Sequence, residues 1–243
     1  MENIKIIKLD TVSSTNDYLK QLALSGESEN TVVIATRQTA GKGTKNRSFI
    51  SEIGGLYISI LLRPEIKGFD ATLITPAAAV AVSDTIDLLS GKNSQIKWVN
   101  DVYLNNKKVC GILCESVIEK DGNLPFIIVG IGVNLCVPQG GFAPEIAQIA
   151  TSVFEECDED LKQQFSEYLL SRFFEYYNNL QTKEFLQKYR QKNLVIGREI
   201  TVCEYDKIHT AKAEQIDDKC RLVVSLADGT IKTLSSGEVS LKL

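Results

Sequence analysis

Residues 95–135 read QIKWVNDVYLNNKKVCGILCESVIEKDGNLPFIIVGIGVNL. Short apolar and β-branched runs at 95–98, 102–104, 107–118 and 126–135 spell strands. Asn105-Asn106 and Asp121-Gly122 are turn dipeptides between them. Strands joined by tight turns fold back on one another as a sheet. Working outward, 4–9, 31–36 (TVVIAT) and 56–63 (LYISILLR) add further strands. Ser14-Thr15-Asn16-Asp17 reads as a helix start with Ser14 as the N-cap. Thr75-Pro76 opens an Ala- and Val-rich helix to about Leu89, with proline at its first position. Beyond Pro144 the pattern turns helical. Leu161, Phe165, Leu169, Phe173 and Tyr176 recur at three- and four-residue steps, and Thr182 is placed to cap a shorter helix carrying Phe185, Leu186 and Tyr189. From 193 onward five short strands alternate with turns at Asp217-Asp218, Asp228-Gly229 and Ser236-Gly237. The fold class is α+β: a larger domain over residues 1–190, then a small β-barrel over 193–243.

Composition narrows the chemistry. The 243 residues include 27 Lys and Arg against 31 Asp and Glu, so the net charge of −4 argues against general binding to phosphate backbones. His209 is the single histidine, which removes Ser-His-Asp triads and His-rich zinc sites. The longest apolar stretch, 126–137, is interrupted by Gly130, Gly132 and Asn134 and falls short of the ~20 residues that span a bilayer. The start alternates Lys with Ile and Leu and has no signal-peptide pattern. Six cysteines without a C-x-x-C pair read as reduced thiols, in keeping with a cytoplasmic protein and no membrane. Chemistry therefore falls to Lys, Arg, Asp, Asn, Gln and the backbone.

Four stretches could supply it. Residues 37–55 form a long polar loop with Arg37, Lys42, Lys45 and Arg47 and no acid before Glu52. Gly41 and Gly43 let an anion approach backbone N–H groups. One Gly-x-Gly by itself favours a flexible, solvated surface loop, and the stretch matches neither a Walker A loop nor a dinucleotide fingerprint. In Lys97-Trp98-Val99-Asn100-Asp101, Trp98 reads as core, while Asn100-Asp101 is either a turn or a ligand-orienting pair. In Lys107-Lys108-Val109-Cys110-Gly111-Ile112, strand alternation puts Lys108 on one face with Cys110 and Ile112, where an ammonium needs an anion; the alternative is that Lys108 faces water. Val129-Gly130-Ile131-Gly132-Val133-Asn134 is either a tightly packed sheet centre or a close approach of ligand to backbone.

Taken in order, these stretches resemble the biotin protein ligases, also called biotin–[acetyl-CoA-carboxylase] ligases. The family's S-T-N is matched by Ser14-Thr15-Asn16, and its Q-x-x-G-R-G-x-x-x-R-x-W loosely by Gln38, Gly41-Lys42-Gly43, Arg47 and Phe49. K-W-P-N-D appears as residues 97–101, K-x-x-G-I-L-x-E as Lys108, Gly111-Ile112-Leu113 and Glu115, and G-I-G-x-N as Gly130-Ile131-Gly132 and Asn134. Gly237-Glu238-Val239-Ser240 resembles the close of the family's Src-homology-three-like barrel. The resemblance implies a class II synthetase-like mixed sheet with flanking helices. It implies ATP-dependent activation of biotin to biotinyl-5'-AMP and transfer to a lysine of a biotin carboxyl carrier domain, with ATP and Mg²⁺. By position, it makes Lys108, Lys42 and Arg47 the catalytic cations. Ser14, Thr15, Gln38, Gly41, Lys42, Phe49, Lys108, Gly111 and Gly130 would hold biotin. Lys42, Thr44, Lys45, Arg47, Asn100 and Asn134 would hold the nucleotide, with Asp101 or Asn100 as the Mg²⁺ contact. Homodimers by sheet-edge pairing also occur in the family. No helix-turn-helix precedes Ile4, so the DNA-binding form is not expected.

The loop departs from the family's usual G-R-G-R-x-G-R: Lys42 and Thr44 stand at arginine positions, Asn46 at a glycine and Phe49 at the tryptophan. Lys lacks the bidentate fork of Arg, and a lost charge-assisted bond to phosphate costs about 1.5–3 kcal/mol. The hypothesis is an active ligase with looser adenylate retention. The rival readings are a lipoate or octanoyl ligase of the same fold, which the barrel and the K-W-x-N-D stretch disfavour, and a non-catalytic biotin or carrier sensor, which only the altered loop favours.

Overall fold

The computed structural model describes residues 4–64, 71–117, 125–204, 207–235 and 238–241. A seven-stranded sheet organises the first three quarters of the chain. Its strands are β1 (Lys5–Val12), β2 (Thr31–Gln38), β3 (Leu56–Leu62), β4 (Gln95–Lys97), β5 (Asp101–Leu104), β6 (Lys107–Ser116) and β7 (Ile127–Val133), in the order β1-β2-β3-β7-β6-β5-β4. β1 and β2 are parallel and every other pair is antiparallel, so the sheet is mixed. β3 and β7 are buried along nearly their whole length, and β2 over its first five residues, as continuous rather than alternating apolar runs require.

Helices cover the sheet unequally. The helices α2 (Ile74–Ser90), α3 (Glu159–Asn178) and α4 (Glu184–Lys192) pack on one face around Ile58, Ile131, Phe165, Phe173 and Tyr189. Among the described residues, α1 (Thr15–Leu24) is the helix that covers part of the other, where Leu19, Val33, Leu61 and Ile128 form a smaller core. The half of that face beyond the start of α1 is left for the site. Ser14 caps α1 as read from the sequence, its Oγ accepting from Asp17 N at 3.3 Å.

Strands β8 (Glu199–Glu204), β9 (Lys207–Ile216), β10 (Leu222–Leu226), β11 (Ile231–Leu234) and β12 (Glu238–Leu241) make a five-stranded antiparallel sheet, ordered β11-β10-β9-β8-β12. It docks on the larger sheet through Trp98, a core residue whose indole N–H donates to the Cys220 carbonyl at 3.0 Å.

Several expectations need correction. The helix α2 begins at Ile74, so Pro76 is its third residue; its missing N–H still falls in the first turn, where no intrahelical partner exists. Thr182 does not cap α4. Lys183 holds that place at φ 56°, and the Thr182 hydroxyl donates back to Asn179 O at 2.8 Å. The six cysteines are not all thiols: Cys136 and Cys157 form a disulfide, with Cα atoms 5.9 Å apart. Their segments run side by side, with Phe154 N donating to Leu135 O and Val137 N to Glu155 O, a juxtaposition no sequence spacing announces. The turns read at Asp121-Gly122 and Ser236-Gly237 lie outside the described residues. No described helix is long and apolar enough to cross a membrane.

Candidate active site

The floor of the site is the sheet face left open beside α1. Two cross-strand rows build it: Tyr57, Gly132 and Gly111, and next to them Ser59, Gly130 and Leu113. Asp101 continues the first row onto β5. Lys108 joins this face, contrary to simple alternation. The β5–β6 register shifts between Val102 and Tyr103, pairing Val102 with Cys110 but Tyr103 with Lys108. Val109 is the extra residue of that bulge. Val109 and Cys110 are both fully buried, while Lys108 lies over Gly111 rather than beside Cys110 and Ile112. Its Nζ sits 2.6 Å from the Asp101 carboxylate and 5.8 Å from the centre of the Phe49 ring. The anion demanded by an inward ammonium is thus partly supplied.

The start of α1 forms one wall, and a hydrogen-bond chain binds it to the floor. Asn16 Nδ2 donates to Glu115 Oε2 at 2.7 Å. Ser59 Oγ lies 2.6 Å from Asn16 Oδ1 and 2.8 Å from Thr15 Oγ1. The Thr15 backbone N–H donates to Gln38 Oε1 at 2.8 Å, and its hydroxyl lies 3.0 Å from the same atom. Gln38 Nε2 then donates to Ser51 Oγ at 2.9 Å, and Ser51 to Phe49 O at 2.8 Å.

The polar loop folds over as a strap. Bridges pair Gln38 with Ser51 and Lys42 with Ser48, and Phe49 N donates to Gly41 O at 2.8 Å. A Cβ on Gly41 would stand 2.4 Å from Phe49 O, so only glycine lets the two limbs meet. Lys42 reaches Asp17 at 2.5 Å, and this hydrogen bond raises the ammonium pKa despite slight burial. Phe49 lays its ring on Gly132 and Gly111. Tyr57, edge-on to Phe49, donates its hydroxyl to Glu52 O at 2.7 Å; burial pushes its pKa up, so it stays a neutral donor.

Floor, wall and strap border an open cleft of about 490 Å³, the solvent space at its mouth included. Ser14, Thr15, Gln38, Lys42, Thr44, Phe49, Asn100, Lys108, Gly111 and Gly130 all line it, although they come from six separate segments. Others stand apart. Gly41 shapes the strap from behind. Arg47 turns toward Thr44, with Nε 3.4 Å from its carbonyl, and Lys45 sits at φ 56° in a short 3-10 turn; neither lines the cleft. Asn134 lines an adjoining hollow of about 320 Å³ with Tyr57, Glu52 and Phe142, and its Nδ2 donates to Thr151 O at 3.2 Å. Gly130 does not sit open for a ligand ring: a Cβ there would stand 2.3 Å from Asn16 Oδ1, so it makes room for that amide. Sequence reading passed over Asn16, Ser51, Tyr57, Ser59 and Glu115 as site residues. Ser59 offered a signal, being a hydroxyl in the otherwise apolar run LYISILL.

Residues 9–134 match the family model described as "Biotin/lipoate A/B protein ligase family", and residues 195–242 match the "Biotin protein ligase C terminal domain". The chain belongs to the biotin protein ligase family. Among biotin protein ligases, the bifunctional ligase/repressor BirA of Bacillus spizizenii is 32% identical over 241 residues, covering 97% of this chain and 74% of that protein. The biotin–[acetyl-CoA-carboxylase] ligase of Paracoccus denitrificans is 38% identical over 136 residues, 55% of this chain and 56% of that one. The solved biotin protein ligase from Aquifex aeolicus in complex with biotin and ATP superposes with a TM-score of 0.80 at 30% identity, covering 98% of each chain. The mixed sheet with flanking helices and a C-terminal antiparallel sheet is therefore the architecture of this family.

Proposed function

We propose that the chain joins biotin to a lysine of a biotin carboxyl carrier domain by way of biotinyl-5'-AMP, with Lys108 as the central cation. The observation that supports this most directly is an ammonium and a hydrogen-bonding wall at opposite sides of one cleft, beneath a cationic strap. Biotin is a ureido ring with an acid tail. Ser14, Thr15 and Gln38 suit the ring, and Lys108 suits the acid. The floor of Gly111 and Gly132 suits a close-lying bicycle once the Phe49 ring lifts away to become its cover.

In the first step, a biotin carboxylate oxygen attacks the α-phosphorus of ATP and pyrophosphate leaves. Negative charge gathers on the phosphoryl oxygens, and a fixed cation there lowers the barrier. Lys108 takes that role. Lys42 and Thr44 at the strap hold the phosphates, with Lys45 and Arg47 reaching in when the strap closes. Asn100 lies toward the nucleotide, and the hollow beside Asn134 suits the adenosine. In the second step, a neutral carrier lysine amine attacks the acyl carbon and AMP leaves. Neither step calls for a histidine.

Mg²⁺ would arrive with the triphosphate. Asp101 has an oxygen on Lys108, and the described residues contain no group of three His, Cys, Asp or Glu able to hold a metal. No step is therefore assigned to a protein-bound ion. The division into a catalytic domain over 1–190 and a small barrel over 193–243 follows the change of strand pattern and the separate C-terminal match. That match also favours biotin over lipoate.

The test is biotin-dependent release of pyrophosphate from ATP, followed by labelling of a purified carrier domain, with lipoate and octanoate as parallel substrates. Labelling with biotin alone is expected. Preference for lipoate, or biotin binding without pyrophosphate release, would overturn the reading.

A further inference from the structure

The Cys136–Cys157 disulfide takes no part in the chemistry above, yet it closes the base of the loop that walls the hollow beside the cleft. The two cysteines are 21 positions apart. Cys136, Pro138, Gly141, Phe142, Ala143 and Ile146, six of the eleven residues around the hollow, belong to the segment they close. The biotin cleft takes no lining residue from that segment.

Little else fixes the shape of this loop. It has no helix or strand of its own, and no residue from 137 to 149 is buried. Its far limb is held to β6: Lys108 N donates to Ile149 O at 2.8 Å, Thr151 N to Lys108 O at 3.0 Å and Lys107 Nζ to Ala147 O at 2.9 Å. Its near limb, which carries Pro138, Gly141 and Phe142 to the hollow, leaves the body at Cys136, whose N–H donates to Gly54 O at 2.8 Å. A covalent link at that point removes from a loop without a core many of the conformations in which its wall faces elsewhere.

The link is also reachable. Cys136 is 4% exposed, but Cys157 is only partly buried and stands within an acidic run of Glu155, Glu156, Asp158, Glu159 and Asp160. That charge repels a thiol bearing carboxylates and favours a dithiol reductant without them. Resting on the reading above that the hollow takes adenosine, we infer that Cys136 and Cys157 form a redox latch on the nucleotide side of the site. As a disulfide it pre-shapes the wall for the nucleotide; reduced by a dithiol, it leaves the wall to be ordered at the expense of binding. In the reduction a thiolate of the dithiol attacks Cys157 Sγ, the bond between the two Sγ atoms breaks, and Cys136 leaves as a thiolate and takes up a proton. The second thiol of the reductant then displaces Cys157, which is protonated in turn. Two electrons and two protons pass to the protein, and the reductant is left as its own disulfide.

The experiment measures two affinities by calorimetry, for biotin and, with biotin saturating, for α,β-methylene-ATP. The protein is used after treatment with oxidised or with reduced dithiothreitol, and Cys157→Ser is compared in both. Thiol titration of the unfolded protein should count four thiols after oxidation and six after reduction. Reduction should weaken the nucleotide analogue by about five- to tenfold, the scale of ordering a few side chains and their loop on binding, and leave the Kd for biotin unchanged. Cys157→Ser should bind the analogue as weakly as the reduced protein under both conditions. Six thiols after oxidation, equal nucleotide affinity in the two states, or equal weakening of biotin and nucleotide would each overturn the latch. Failure of both forms to bind the analogue would instead bring down the adenosine reading on which the latch rests.

Discussion

The Lys108 ammonium and the Asp101 carboxylate, 2.6 Å apart on neighbouring strands, form an ion pair at the edge of the cleft. The pair exists because the Val109 bulge swings Lys108 onto the Gly111 face. Asp101 fixes where the ammonium sits, and in the proposed reaction an incoming anion would compete for it.

Replacing Lys108 with Ala should lower biotin-dependent pyrophosphate release by about 10²–10³-fold, the usual effect of removing one preorganised charge-stabilising donor. Both partners are partly exposed, at 31% and 19%, so the fold should lose no more than about 1 kcal/mol. Steady-state rates and a thermal melt on the same sample check this. A variant retaining activity within tenfold would remove Lys108 from its role.

Lys42 tests the altered strap. In the absence of ligand it is tethered to Asp17, an exposed pair of little energetic weight. Lys42→Arg would restore a bidentate fork toward phosphate. The biotinyl-adenylate should then leave the protein about tenfold more slowly, measured by filter-trapping of labelled adenylate. An unchanged release rate would show that the strap's departures do not govern retention.

The two floor glycines should respond differently to alanine. At Gly130 the new methyl meets the buried amide of Asn16, held by Glu115, Leu113 and Ser59, at 2.3 Å, and the fold should lose about 1–3 kcal/mol in urea denaturation. At Gly132 it meets Phe49 Cε1 at 2.6 Å, the ring of a strap residue that can lift away. Stability should change little there, while biotin affinity falls because the floor is raised. Equal destabilisation by both would contradict this account of the floor.

Asp84 links helices α2, α3 and α4, accepting from Tyr176 at 2.6 Å, Lys188 at 2.8 Å and Arg172 at 3.0 Å. Partial burial pulls its carboxyl upward, but the three donors outweigh that and hold it below the ordinary carboxylate value. A lowered native value means the stabilisation is present above the unfolded pKa, about 4, and is lost as pH falls through the native one. Asp84→Asn should therefore be less stable than wild type, by about 1–2 kcal/mol, at pH 7. The gap should stay flat down to about pH 5 and close below about 4. A gap that widens in acid would reverse the assigned sign.

Much of this protein is legible in its residues one stretch at a time. The period-two runs, the Asn105-Asn106 turn with both residues at positive φ, the Ser14 cap and the inward stripe of α3 are set by neighbours within a few positions. Local sterics and local hydrogen bonds decide them, so the α+β class and the five C-terminal strands could be read directly. The ordered motifs likewise pointed to the cleft, because the start of α1, the strap and the strands β6 and β7 that carry them meet on one face of the sheet.

What the chain's order could not specify were relationships across it. Alternation put Lys108 with Cys110; a bulge, visible only once β5 pairs with β6, turned it around. Asn16, Ser59 and Glu115 are 43 and 99 residues apart in their contacts, and Cys136 meets Cys157 because two unrelated segments pair side by side. Polar groups inside a fold are governed by whichever donors and acceptors surround them after packing, and those partners come from the whole molecule.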